Sequence, residues 1–318
     1  MADPVSLKDK VALIVGGAGG IGAATARQFA EAAARVVITH RAGRDKAAAA
    51  TALLATFAGG NHAAFAADVA ETATLIALRE AIAARYGRLD ILVNTAGFTK
   101  PVPHADLEAL DDELIDRMFE VNWRGQFATI RSFAPLLKAS GDGLIVSVSS
   151  IAGATGLGSS IAYCAAKAGI DVMTKSLARA LAPQVRVLAV APGVVDTGFV
   201  PGRGTDFNEK TSAKTPLKRV ATADDVAAAI VSCATHLTFS TGTTIVVDGG
   251  SGRQVAAFRR TGAGAHRREH GFGRRARRCQ GLGRLGRGIL GGRIVAATAA
   301  GCQQQYQGER QHLCRELA

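Results

Sequence analysis

The 318-residue chain is poor in the residues that organise secreted, metal-bound or membrane proteins. Its five cysteines include no C-x-x-C pair, which suggests a reducing compartment. Its seven histidines show no metal-ligand spacing, so no metal is expected, and His62 and His236 read as surface residues. No run of about 18 uninterrupted apolar residues occurs, so nothing is expected to span a membrane. The opening MADPVSLKDK lacks the apolar core of a signal peptide, and a cytoplasmic location is the expectation. No linker or internal repeat breaks the stretch before residue 250. After residue 252 there is no lysine at all.

What is present is a regular alternation. Strand-like apolar runs at 11–15, 36–39, 63–66, 90–93, 144–148, 185–190 and 244–247 are separated by helical stretches. That pattern predicts an α/β fold with a parallel sheet of about seven strands and helices on both faces. Residues 1–252 have the size of one large domain of that class.

Two local patterns carry chemistry. Tyr163 and Lys167 are four apart, and Ser150 lies thirteen residues before the tyrosine. On a helix over 160–182, residues i and i+4 share a face, so a phenol and an ammonium project into one cleft. A phenol has a reference pKa of about 10, and a fixed cation beside it favours the phenolate, so it can give or take a proton near neutrality. Alone, Y-x-x-x-K is weak, since a surface tyrosine beside a solvated lysine also satisfies it. The second pattern is VALIVGGAGGIG: a buried strand at 11–15, then Gly16, Gly20 and Gly22, then an alanine-rich helix. Glycines let the backbone approach a pyrophosphate, and the helix N-terminus favours its charge. The spacing is G-x-x-x-G-x-G rather than G-x-G-x-x-G.

With these patterns in hand, the chain resembles the short-chain dehydrogenase/reductase family over residues 7 to about 252, including members that act as 3-oxoacyl-carrier-protein reductases. The resemblance also rests on VNTAG (Val93 to Gly97), FEVNWRG with Asn122, VSVSSIAG ending at Gly153, APGVVDTG (Ala191 to Gly198) and TGTTIVVDGG (Thr241 to Gly250), all in order. It implies a single Rossmann-type doubly wound sheet, a nicotinamide cofactor and a homotetramer built on long helices near 111–138 and 160–182. It implies a catalytic set of Asn122, Ser150, Tyr163 and Lys167. Asn122 would keep a helix kink and a water behind Lys167, and Lys167 would also hold the nicotinamide ribose. Asn94 would stabilise the central strands, Asp68 would bind the adenine edge, and Thr197 the nicotinamide carboxamide. Ile21, Val69, Ala96, Gly97, Pro192, Gly193 and Val195 complete the implied cofactor surface, to which Asn94 also belongs. The chain departs from the pattern at Val15, where a turn-stabilising hydroxyl is missing, at Thr95, and at Ala33, where a helix-ending glycine is common.

The second strand ends at His40-Arg41-Ala42-Gly43-Arg44, with no acid before Asp45. NAD-preferring relatives place a carboxylate at the position of His40, where it would repel a 2′-phosphate. Arg41 and Arg44 can instead bind that phosphate, so NADP is favoured and NAD remains possible. The resemblance implies that the segments ATGLGSSIA and FVPGRGTDFNEKTSAKTPLKR form the substrate pocket, the second being a polar, glycine-containing loop of the kind that closes over substrates. A small or medium ketone, a sugar-like ketone and a 3-oxoacyl thioester all fit. Cys164 reads as a small buried side chain.

Residues 253–318 hold 14 arginines against Glu269, Glu309 and Glu316, a net charge of 14 − 3 = +11 out of +12 for the whole chain. They read as a disordered basic arm that binds RNA, DNA or acidic partners weakly and by charge. The stronger reading is a shifted frame in GC-rich DNA, which yields lysine-free Arg/Gly/Ala sequence. Two functions follow: a ketone reductase or alcohol dehydrogenase, or a cofactor-bound sensor working through its tail. The intact Asn/Ser/Tyr/Lys set favours the first, because a sensor needs no proton donor.

Overall fold

The computed structural model describes residues 6–202, 204 and 206–252. The expected disordered arm at 253–318, with its polyanion binding, lies outside the described residues. Seven strands form one parallel sheet: β1 (Val11–Val15), β2 (Arg35–His40), β3 (Ala63–Ala66), β4 (Ile91–Asn94), β5 (Gly143–Val148), β6 (Val185–Pro192) and β7 (Thr244–Val247). Their order is β3-β2-β1-β4-β5-β6-β7. The predicted runs therefore all form strands, with ends shifted by no more than two residues.

Strands β1, β4 and β5 are buried along their whole length, which is why they read as continuous apolar runs rather than alternations. Alternate side chains feed two cores. Leu13, Leu92, Ile145 and Val187 pack with Leu78 of α3 (Thr72–Tyr86), Phe133 of α5 (Gly125–Ala139) and Ile170 of α7 (Ile161–Leu181). On the other face Ile14, Val36, Val93 and Val146 pack with Phe29 of α1 (Gly20–Glu31) and Val226 and Ile230 of α9 (Ala223–Thr235). The strand order reverses between β1 and β4, so the chain leaves these neighbours in opposite directions and opens a crevice at their C-terminal ends. The opposite ends are pinned by fully buried Asp90, which accepts from the Val11 amide (2.8 Å) and twice from Arg88 (3.0 and 2.5 Å).

The two long helices form where expected, one with an irregularity. Residues 112–139 are a rod of α4 (Asp112–Phe119) and α5, joined by one wide π-helical turn over Glu120–Arg124. Helix α7 opens on Ser160, whose hydroxyl accepts from the Tyr163 amide at 3.2 Å. The segment expected to close over the site contains a two-turn helix, α8 (Phe207–Lys214). Ala33 lies in left-handed backbone at φ +68°, the conformation expected for a helix-ending glycine position.

His62 is not the free surface residue expected. Its Nδ1 accepts from the Val36 amide (3.1 Å), its Nε2 lies 3.0 Å from the Ala58 carbonyl, and its ring meets the edge of Phe57. Polarity suggested solvent; an unpaired amide of β2 claims the ring instead.

Candidate active site

The turn after β1 is glycine-rich for two different reasons. Part of it is packed too tightly for side chains: a Cβ at Gly16 would lie 2.8 Å from the Ala96 amide nitrogen, and one at Gly17 2.7 Å from the Ile38 side chain. A Cβ at Gly22 would collide with the Gly16 carbonyl. Gly16 also sits at φ +80°. The other part is open, since nothing lies within 4 Å of a Cβ built at Gly19, and at Gly20 only Thr197 comes close, at 3.3 Å. Helix α1 starts here with no side-chain cap and no acid in its first turn. Its first amides and positive dipole end therefore face open space, which fits a pyrophosphate. Ile21 is half-buried beside the same turn.

The hydroxyl missing at Val15 is supplied from elsewhere. Thr39 of β2 accepts from the Gly16 amide (2.9 Å), and Thr95 donates to the Val15 carbonyl (2.7 Å). Thr39 was legible only as a lone polar residue in the buried run VVIT, and sequence reasoning missed it.

Tyr163 and Lys167 share one face of α7, with the Lys167 Nζ 5.6 Å from the centre of the Tyr163 ring. Lys167 is only 3% exposed, and its ammonium donates to the Val148 carbonyl at 2.8 Å. Burial pushes its pKa down to about 8, against a smaller upward pull from Asp171. Ser150 follows β5 directly, and its hydroxyl accepts from the Ala152 amide at 3.2 Å. The turn that carries it rests on α7: Ser149 donates to the Lys167 carbonyl (3.1 Å), and a Cβ at Gly153, in the short helix α6 (Ala152–Thr155), would lie 2.6 Å from the Ala168 nitrogen.

Asn122 occupies the π-helical turn and is fully buried. Its amide donates to the Phe98 carbonyl (2.8 Å) and the Met118 carbonyl (2.9 Å), and its oxygen accepts from the Phe98 amide (3.1 Å). It thus clamps the backbone that follows Ala96 and Gly97 at the end of β4. Trp123 beside it lies against α7, where a Cβ at Gly169 would come within 2.8 Å of the indole.

The remaining predicted residues fall around the same crevice, with one set beneath it. Pro192 ends β6, Gly193 donates to the Val247 carbonyl (2.9 Å), and Val195 pairs with Ala221. Thr197 stands over Gly20. Asp68 accepts from the Ala70 amide (2.8 Å), and Val69 is buried against Gly125. His40 lies 2.8 Å through Nδ1 from the Arg41 carbonyl, and Arg41 and Arg44 are exposed at the end of β2 and the start of α2 (Arg44–Leu54). Asn94 is 1% exposed. Its side chain, the Gln126 Oε1 and the Ser147 hydroxyl are buried without a hydrogen-bond partner among the described residues. The Asn94 side chain therefore lies in the interior between β4, β5 and α5, while its backbone ends β4.

Both segments expected to form the pocket come up to Tyr163, though the contacts that join them were not legible. The 157–160 loop lies against one side of Tyr163, where a Cβ at Gly158 would be 3.3 Å from the ring. It is tied to the 98–104 segment by Val102 N–H to the Ser159 carbonyl (2.7 Å), by His104 to the Gly158 carbonyl (3.1 Å), and by a short hydrogen bond between the Thr99 and Ser159 hydroxyls. Phe199 stands next to Tyr163 with ring centres 6.3 Å apart. It opens the segment expected to close over the site, but its meeting with Tyr163 is a contact between distant parts of the chain.

A sequence profile of the family described as enoyl-(acyl carrier protein) reductase matches residues 16–252. The cis-4-hydroxycyclohexanecarboxylate dehydrogenase of Sinomonas cyclohexanicum is 38% identical over 246 residues, covering 76% of this chain and 96% of that protein. The 3-oxoacyl-acyl-carrier-protein reductase FabG of Staphylococcus aureus is 31% identical over 243 residues, covering 76% and 97%. A crystal structure from Burkholderia xenovorans, described as a short-chain dehydrogenase/reductase, superposes with a TM-score of 0.72 at 36% identity, covering 77% of this chain and 98% of that one.

Proposed function

The chain belongs to the short-chain dehydrogenase/reductase family, and on that premise we propose that it interconverts a ketone and a secondary alcohol with NADP(H), using Tyr163 as proton donor and acceptor. The observation that carries this reading is the buried ammonium of Lys167 set 5.6 Å from the centre of the Tyr163 ring. A desolvated cation at that position stabilises a phenolate far more than one in water would.

In the reductive direction Tyr163 gives its phenolic proton to the substrate oxygen. The Ser150 hydroxyl hydrogen-bonds that oxygen and orients it. Lys167 holds the charge that remains on the phenol and stays fixed by the Val148 carbonyl. Asn122 keeps the Gly97–Phe98 backbone in place beside them. When bound, the nicotinamide supplies the hydride for the carbonyl carbon. Gly16, Gly20, Ile21 and Gly22 would hold its pyrophosphate, and Asp68 and Val69 its adenine. Ala96, Gly97, Pro192, Gly193, Val195 and Thr197, together with Tyr163 and Lys167, would hold its nicotinamide half. Arg41 and Arg44, with His40 in place of an acid, support a 2′-phosphate and hence NADP.

The reading includes a homotetramer packed through α4, α5 and α7. Exposed apolar side chains on these helices, Phe119 at 37% and Val172 at 61%, support it. Light scattering that gives a monomer at micromolar concentration would reject the tetramer.

The test is NADPH absorbance with a panel of ketones, and a 3-oxoacyl thioester belongs in it because the Staphylococcus aureus relative is a 3-oxoacyl reductase. Tyr163→Phe should lose about 10²- to 10⁴-fold in turnover while still binding NADPH, since the ring packs and only the proton donor goes. A variant that keeps more than about half its activity would remove Tyr163 from the mechanism.

A further inference from the structure

The ring of Tyr163 has two neighbours from distant segments, and they differ in kind. The first is the backbone of the 157–160 loop, which Thr99, Val102 and His104 hold in place. The hydroxyls of Thr99 and Ser159 bond to each other. They are spent on the wall and are poor readers of substrate hydroxyls. The second neighbour is Phe199, tilted 50° to the Tyr163 ring, its edge 3.5 Å from a Cβ built at Gly97. Phe199 thus spans the distance from the proton donor to the end of β4. It keeps 40% of its surface exposed, and Leu157 of the 157–160 loop keeps 61%. An aromatic face left partly open beside the reacting groups offers flat apolar contact and no hydrogen bond.

We infer that Phe199 determines specificity, and that the substrate is a cyclic ketone or its alcohol whose ring packs on Phe199 while its oxygen reaches Ser150 and Tyr163. This rests on the reductase reading above. An open-chain polyhydroxy ketone would have to bury hydroxyls against Phe199 without partners, which costs binding. An extended thioester would gain little from a single aromatic face.

The experiment compares kcat/KM for cyclohexanone, dihydroxyacetone and an acetoacetyl thioester in the wild-type protein, Phe199→Ala, Phe199→Leu and Phe199→Tyr. Cyclohexanone should be the best of the three. Phe199→Ala should lower its kcat/KM by about tenfold, mainly through KM, and change dihydroxyacetone by less than about twofold. Phe199→Leu should fall between, and Phe199→Tyr should restore most of the cyclohexanone activity. Equal losses on all three substrates would make Phe199 a mere loop anchor and overturn the inference. So would a wild-type preference for dihydroxyacetone or the thioester, which would leave the reductase reading standing. A wild-type protein that reduces none of the panel with either cofactor would overturn both.

Discussion

The ammonium of Lys167 donates a 2.8 Å hydrogen bond to the carbonyl of Val148, the last residue of β5. Ser149 and Ser150 follow that carbonyl directly, and Ser149 returns a hydrogen bond to the backbone of Lys167. The cation and the serine turn are therefore cross-tied, and Tyr163 lies on the same helix one turn away. Tyr163, Lys167 and Ser150 are thus held together on a central strand, an arrangement that suits the roles proposed for them.

The first prediction concerns pH. Burial lowers Lys167 to about 8, and Asp171 partly opposes this. Reduction needs the ammonium, so kcat/KM should hold below about pH 8 and fall as pH rises through it. Asp171→Asn removes the upward pull and should move that limb to lower pH. Thr244→Val, which only deletes the 3.0 Å hydrogen bond to Asp171, should leave it in place. Stability runs the other way. The folded-state value lies below the unfolded value of 10.5, so the native state binds fewer protons between the two. The contribution of Lys167 to stability therefore rises with pH across that window. A pH–rate profile and a pH series of denaturation midpoints check the two signs separately.

Asn122→Ala should destabilise the protein by about 2–3 kcal/mol, because the backbone groups of Phe98 and the Met118 carbonyl lose their partner in a buried site. The Gly97–Phe98 segment would then be held less firmly, and kcat should fall with the denaturant midpoint. An unchanged midpoint would mean that the clamp contributes nothing to the fold.

Arg41→Ala should raise KM for NADPH far more than for NADH. A charge-assisted hydrogen bond to phosphate contributes about 1.5–3 kcal/mol, or roughly 10- to 150-fold. Equal effects on both cofactors would place Arg41 away from any 2′-phosphate, and tighter wild-type binding of NADH would remove the NADP preference itself.

The sheet was legible because its strands are buried on both faces and so stand out as uninterrupted apolar runs. The Tyr163–Lys167 pair was legible because helical spacing alone puts i and i+4 together. What was not legible depends on contacts between distant segments. The substitution at Val15 looked like a loss until Thr39, twenty-four residues on, was found to hold the Gly16 amide. The imidazole of His62 could not be assigned to the Val36 amide without the edge of the sheet. Phe199 gained its meaning only when the loop after β6 was seen beside Tyr163, and no periodicity encodes that meeting.

Ala33 makes the last prediction, and both its sequence and its structure bear on it. The residue closes α1 in left-handed backbone at φ +68°, with its amide bonded to the Ala30 carbonyl (2.9 Å) and the next amide to the Phe29 carbonyl (3.0 Å). A Cβ in that conformation crowds the backbone and costs about 1 kcal/mol, which glycine avoids. The side chain is exposed, so its removal leaves no cavity. Ala33→Gly should therefore stabilise the protein by up to about 1 kcal/mol, the added freedom of the unfolded chain offsetting part of the gain. Position 33 joins α1 to β2 at the end of the sheet away from the active-site crevice, so kinetics should not change. Denaturant unfolding of the two proteins, with equal slopes and a higher midpoint for the glycine variant, is the expected result. A lower midpoint would mean that the helix end relaxes freely and that the left-handed alanine carries no strain.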